Sequence, residues 1–194
     1  MSTQMVERTG HYSADDEALV DRIVKSGDKN HFEPIVERYK RPIMKLLYRM
    51  TGDYETSMEL AQETFLKAWN YLKSYHREMK FHSWLFKIAH NLAIDHISKK
   101  RRRMENETPL DEVAQDFKKN GWEKRVEGGM YVQSLLDKLR DPYRTAVILR
   151  FMEDLTYEDI ASIMETTVEQ VKNYLFRGRK YLLELAGEVK YDGI

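Results

Sequence analysis

The stretch Phe81-His82-Ser83-Trp84-Leu85-Phe86-Lys87-Ile88-Ala89-His90-Asn91-Leu92-Ala93-Ile94-Asp95-His96-Ile97, trailed by Lys99-Lys100-Arg101-Arg102-Arg103, is the most strongly patterned part of this chain. Ser83 is expected to be an N-cap, its hydroxyl accepting an orphan amide at a helix start. Behind it Leu85, Ile88, Ala89 and Leu92 fall three and four apart and predict one buried face. Trp84, Lys87, Asn91 and Asp95 recur at helical spacing and form a second stripe. An indole can stack on a base, an amide can read a base edge, and cations can hold phosphates. Stripe and basic run together therefore suit a nucleic-acid strand. They also fit an ordinary amphipathic helix with a half-exposed indole and a solvated charge run.

Upstream the pattern stays helical. Residues 1–14 have no apolar period and read as a tail. Ala18, Leu19, Ile23 and Val24 share a face, and Gly27 stops that helix. Phe32, Ile35, Val36 and Tyr39 start the next face; Ile43, Leu46, Leu47 and Met50 continue it beyond Pro42 to Gly52. A third helix carries Met58, Ala61, Phe65, Ala68, Trp69 and Leu72 inward, with Glu59, Gln62, Glu63 and Lys67 outside. Residues 75–80 break the period and predict a polar loop. Residues 15–104 thus read as one helical unit.

Downstream, residues 105–129 are acidic and polar, contain Pro109 and Gly128-Gly129, and predict a linker on which Phe117 and Trp122 could dock. A second helical unit is expected over residues 130–187, leaving residues 188–194 as a tail. Val132, Leu135, Leu136 and Leu139 make its first face. Asp141 is expected to cap a helix with Pro142 in its first turn. Thr156 with Asp159, and Thr167 with Gln170, have capping-box spacing. The two short capped helices that follow have the pattern of a helix-turn-helix. Lys172, Asn173, Phe176, Arg177, Arg179 and Lys180 lie outside the buried set of the last helix, where they could read a major groove; cations near a helix end also suit its dipole.

The totals narrow the class. Lysine plus arginine equals aspartate plus glutamate at 32 each, so any nucleic-acid affinity must come from local clusters. The chain has no cysteine, which excludes disulfides, thiolate metal sites and a cysteine nucleophile. No run approaches the ~18 apolar residues of a membrane span, and the N-terminus is unlike a signal peptide, so a soluble cytoplasmic protein is expected. Nine glycines and four prolines beside abundant Leu, Met, Lys and Glu favour an all-α chain of two small domains. No Gly-rich phosphate loop, nucleophile elbow or His-Glu-x-x-His occurs, and the six histidines lack a ligand spacing. Neither an enzyme nor a cofactor or metal is expected.

Three segments in this order resemble the extracytoplasmic-function (group IV) sigma factors of bacterial RNA polymerase, over roughly residues 15–185. Glu59-Leu60-Ala61-Gln62-Glu63-Thr64-Phe65-Leu66-Lys67-Ala68-Trp69 is similar to the family's core-polymerase-binding helix in sigma region 2. The opening stretch, residues 81–95, resembles its −10 recognition and melting segment. Leu139-Arg140-Asp141-Pro142-Tyr143-Arg144 through Arg177-Gly178-Arg179 resembles its region 4 helix-turn-helix, which reads the −35 element.

The resemblance implies a sigma factor that binds core polymerase and directs promoter recognition, melting and initiation. Glu59, Gln62, Glu63 and Lys67 would meet the clamp of the largest subunit, and the beta flap would be a further contact. Trp84, Lys87, Asn91, Lys99 and Arg101 would hold melted −10 DNA, with the loop over residues 75–80 helping to capture an extruded base. Gln170, Lys172, Asn173, Phe176, Arg177 and Arg179 would hold double-stranded −35 DNA. An anti-sigma factor or another recruiting protein would be a further partner, and no membrane is implied. The chain departs from the family at Thr56-Ser57-Met58-Glu59, where an acidic Asp-Ala-Glu-Asp-like run is usual, at Thr166-Thr167, and at Glu169-Gln170. The competing reading is a stand-alone helix-turn-helix regulator with an N-terminal effector or dimerisation module.

Overall fold

The computed structural model describes residues 15–106 and 129–188. Among the described residues there are eight α-helices and no strand, so the all-α expectation holds. The helices are α1 (Asp15–Ser26), α2 (Glu33–Thr51), α3 (Tyr54–Tyr71), α4 (Phe81–Asn106), α5 (Gly129–Asp137), α6 (Tyr143–Phe151), α7 (Tyr157–Ile163) and α8 (Val168–Glu188). Short 3-10 turns over Lys29–Phe32 and Leu72–Ser74 join α1 to α2 and extend α3. The expected tails at residues 1–14 and 189–194, and linker residues 107–128 with Phe117 and Trp122, lie outside the described residues.

Local chemistry explains most boundaries. Gly27 and Gly52 both have positive φ, which glycine adopts without a Cβ penalty, and each amide closes the turn behind it. Asp53 accepts the Thr56 amide at 2.7 Å and caps α3. Hydrogen bonding from Thr56 holds the Asp53 carboxyl below its ordinary value. α2 runs through Pro42 because Ile35, Tyr39, Ile43, Leu46 and Leu47, on both sides of it, are fully buried. Tertiary burial there outweighs the roughly 3 kcal/mol that an internal proline costs.

Two expected caps are corrected. α4 starts at Phe81, so Ser83 lies inside its first turn rather than capping it; its hydroxyl donates to Asp159 Oδ1 of α7 at 2.9 Å. Glu17 takes over the start instead, accepting the Phe81 amide at 3.1 Å. Asp141 does not cap α6. That helix begins at Tyr143 with Pro142 at the cap position, and the Asp141 carboxylate accepts the Thr145 hydroxyl at 2.7 Å. The Arg140 carbonyl takes the first two amides of the turn, leaving none for Asp141. Helices also overrun the expected linker at both ends, through Asn106 and from Gly129.

α4 lies at the centre. It packs on α2 and α3 on one side and on α7 on the other. Phe81, Phe86 and Ala93 are buried in addition to Leu85, Ala89 and Leu92, Phe81 against the rings of Tyr39 and Tyr75. Ala146, Ile148, Leu149, Ile160, Ile163 and Val171 form the core of the C-terminal unit.

Candidate nucleic-acid interface

The α7–α8 pair is built by its caps. Thr156 Oγ1 accepts the Asp159 amide at 3.1 Å, but the Asp159 carboxylate takes the Thr156 hydroxyl rather than completing a capping box. Thr167 and Gln170 do complete one: Thr167 Oγ1 accepts the Gln170 amide at 3.2 Å, and Gln170 Oε1 accepts the Thr167 amide at 3.5 Å. α8 turns Val171, Leu175 and Gly178 inward. A Cβ built on Gly178 would lie 2.9 Å from Val147 Cγ2 and 3.5 Å from Tyr143 Cβ, so this glycine sets how closely α8 approaches α6. Lys172, Asn173, Phe176, Arg177 and Arg179 are thereby left exposed together. Phe176 is 70 % exposed among those cations. Arg177 Nη1 reaches the Tyr143 hydroxyl at 3.4 Å. Gln170 is exposed too, but its carbonyl oxygen is occupied by the cap.

α4 brings Trp84, Lys87 and Asn91 to one side. Asn91 is exposed, and its Oδ1 lies 3.2 Å from His90 Nδ1. An amide oxygen only accepts, so the ring donates and the Asn91 amino group is left to donate outward. Burial pushes the His90 imidazole down, which keeps it neutral at neutral pH. Trp84 is half-buried, 5.3 Å from the Tyr75 ring and 5.7 Å from Phe81. Lys99 and Arg101 lie exposed further along α4.

The loop over residues 75–80 is held by α1, which the sequence did not signal. The Tyr75 hydroxyl lies 2.6 Å from Glu17 Oε1 and 2.7 Å from the Met79 carbonyl. Arg77 pairs with Asp21 and lies 4.0 Å from Glu17 Oε2. Burial first, then the Glu17 hydrogen bond and charge, push the Tyr75 phenol up, so it remains a donor.

Part of the α4 surface is covered by the C-terminal unit. Lys87 Nζ lies 2.6 Å from Glu165 Oε1, in the turn before α8. Asp159, buried, gathers Ser83, His82 at 3.4 Å and Lys80 at 3.2 Å. Burial works to raise the Asp159 carboxyl, but hydrogen bonds from His82, Thr156 and Ser83 together hold it well below the carboxylate range. Lys45 of α2 donates to the Met152 carbonyl at 2.7 Å and lies 3.4 Å from Glu153.

α3 presents the third surface. Glu59, Gln62 and Glu63 are exposed, and Lys67, half-buried, lies 3.2 Å from Glu63. Met58 and Leu66 are exposed on the same helix, Leu66 by 61 %. Ser57 is buried, and Thr56 supplies the amide that Asp53 caps. Position 56, one of the places where this chain lacks a usual acid, therefore serves the helix start. No cluster of metal-ligating side chains occurs among the described residues, and no described helix is long and apolar enough to cross a membrane.

Comparison with known proteins agrees with this layout. The family model for sigma-70 region 2 matches residues 35–103, and that for sigma-70 region 4 matches residues 129–182. The chain is 33 % identical to the RNA polymerase sigma-H factor of Pseudomonas aeruginosa over 175 residues, covering 85 % of this chain and 90 % of that one. It is 34 % identical to the sigma-E factor of Haemophilus influenzae, an ECF RNA polymerase sigma factor, covering 86 % and 93 %. Among solved structures, CnrH in complex with the cytosolic domain of CnrY aligns with a TM-score of 0.70 at 20 % identity, covering 90 % of this chain and 99 % of that one. The sigma factor RpoE of Bartonella quintana, in complex with the anti-sigma factor NepR, aligns at 0.63 with 21 % identity, covering 82 % and 98 %.

Proposed function

The chain belongs to the extracytoplasmic-function sigma factors of the sigma-70 family, and from that membership we propose how its surfaces divide the work of promoter recognition. It is an RNA polymerase sigma factor, a non-enzymatic initiation factor, so the polymerase does the chemistry and this chain supplies specificity. Residues 15–104 act as region 2, residues 105–129 as the linker and residues 130–187 as region 4. Its place of action is the bacterial cytoplasm, with the polymerase.

On this reading the α3 face of Glu59, Gln62, Glu63 and Lys67 docks on the clamp of the largest subunit. The exposed Met58 and Leu66 give that docking an apolar component. Trp84, Lys87 and Asn91, with Lys99 and Arg101, hold the unpaired −10 strand: the indole stacks, the amide donates, the cations meet phosphate. Lys172, Asn173, Phe176, Arg177 and Arg179 enter the −35 major groove, and Gln170 adds its free amino group beside them. Region 4 also meets the beta flap. Proteins similar to this one were solved bound to CnrY and to the anti-sigma factor NepR, which supports an anti-sigma factor as a further partner.

The observation that carries this division is that one chain presents a strand-type stripe on α4 and a groove-type face on α8, on separate helical units. The test is reconstitution with core polymerase. Start sites mapped from genomic DNA should depend on both partners being present. Tight, sequence-selective retention of duplex promoter DNA by the protein alone would instead favour the stand-alone regulator.

A further inference from the structure

We propose that Glu17, on α1, is a positioning residue for −10 strand selection: it fixes the loop over residues 75–80 and the start of α4 in the shape that admits an unpaired base. This deepens the strand-holding role proposed above and rests on it. α1 precedes the segment matched by the region 2 family model, which begins at residue 35. One oxygen of Glu17 does two tasks there. Oε1 accepts the Tyr75 hydroxyl at 2.6 Å and the Phe81 amide at 3.1 Å, tying the two ends of the loop to one atom. Tyr75 in turn lies against Phe81 and Trp84, with ring centroids 5.6 and 5.3 Å away, so Glu17 sets the angle at which the stacking indole is offered. Oε2 makes no hydrogen bond and lies 4.0 Å from Arg77 Nε.

This division of labour predicts which substitutions matter. Glutamine keeps a carbonyl oxygen able to accept both donors, whereas alanine leaves the Tyr75 hydroxyl and the Phe81 amide without that acceptor. Tyr75→Phe deletes the hydroxyl that lies between Glu17 Oε1 and the Met79 carbonyl while leaving the Phe81 amide bond in place, and so tests the loop end of the same link with little risk to folding.

The holoenzyme is titrated with fluorescent non-template-strand oligonucleotides from a mapped promoter, carrying each of the four bases in turn across the −10 element. Glu17→Ala and Tyr75→Phe should each weaken the preferred strand about tenfold, as loss of a charge-assisted hydrogen bond implies, and bring the four bases to within about threefold of one another. Glu17→Gln should keep most of the affinity and the base preference. The double variant Glu17→Ala with Tyr75→Phe should be little worse than either alone, because the two share one contact. Core-polymerase binding should be unchanged throughout. The proposal is overturned if Glu17→Ala keeps the wild-type base preference, or if it loses core binding in step with strand binding, the mark of a merely structural role. Trp84→Ala serves as the reference: if it binds every strand as the wild type does, α4 is not the strand site and the underlying reading falls as well.

Discussion

At the scale of single residues, Gly178 and Asp159 set the tightest constraints. A side chain at 178 would push on Val147 and Tyr143 across the α6–α8 contact. Gly178→Val should therefore destabilise region 4 by about 1–3 kcal/mol through overpacking, which outweighs the few tenths of a kcal/mol gained in helix propensity. Urea unfolding followed by a region 4 probe checks this, and an unchanged midpoint would show that α8 can shift freely. Asp159 makes an acid-sensitive contribution. Its folded carboxyl titrates below the unfolded one, so its stabilisation is complete above the ordinary aspartate value and is lost as pH falls toward the depressed one. Wild-type stability should decline in acid below about pH 4, while Asp159→Asn should be less stable at neutral pH and flatter in acid. The sequence placed Asp159 correctly at a helix start, since the spacing of Thr156 and Asp159 signals a cap. It could not show that the same carboxylate gathers Lys80, His82 and Ser83, because those partners lie 76 to 79 residues earlier and share no local pattern with it.

At the scale of helices, periodicity carried the reading where one face is buried and failed where two are. α2, α3 and α8 were legible because their apolar residues repeat at helical spacing against polar ones. α4 was read as one-sided, yet His82 and Ser83 are buried as well, because α7 covers a second side and brings Asp159 to both. That is also why Ser83 looked like a cap: a small hydroxyl before an apolar run is the local signal, and burial against Asp159 is not local. The hold of α1 on the loop was illegible for the same reason, its link from Glu17 to Tyr75 spanning 58 residues. On the proposed division of roles, Asn91→Ala should impair open-complex formation more than core binding, since Asn91 is exposed on α4 while the proposed clamp contacts all lie on α3. Competition with labelled sigma factor for core, run beside permanganate mapping of melted thymines, separates the two; equal loss in both would remove Asn91 from the strand site. For α8, Arg177→Ala should weaken duplex −35 binding by about 1–3 kcal/mol at one base position if the guanidinium reads a base. A loss shared by all sequences, with a shallower salt dependence, would make it a phosphate contact.

At the scale of the whole molecule, geometry sets a requirement that the helices alone do not reveal. The −35 and −10 elements are roughly 25 base pairs apart, about 85 Å of duplex at 3.4 Å per step. A compact chain of this length has a radius of gyration near ~16 Å and cannot reach across that distance. On the proposed division of roles, the contacts between α4 and the helix-turn-helix would break before both elements are held, and they are unequal in strength. The Lys87–Glu165 pair is solvated, with Glu165 64 % exposed, and is worth about 0.2–1 kcal/mol. The Ser83–Asp159 bond is buried, so deleting the hydroxyl should cost about 1–3 kcal/mol by leaving the carboxylate short of a donor. Ser83→Ala should accordingly open the free protein more than Glu165→Ala does. X-ray scattering at neutral pH should show the larger rise in radius for Ser83→Ala, and the same variant should bind an unpaired −10 strand more readily once Lys87 is uncovered. If both variants scatter as the wild type does, these two bonds do not hold the units together, and the apolar packing of α7 on α4 carries the contact.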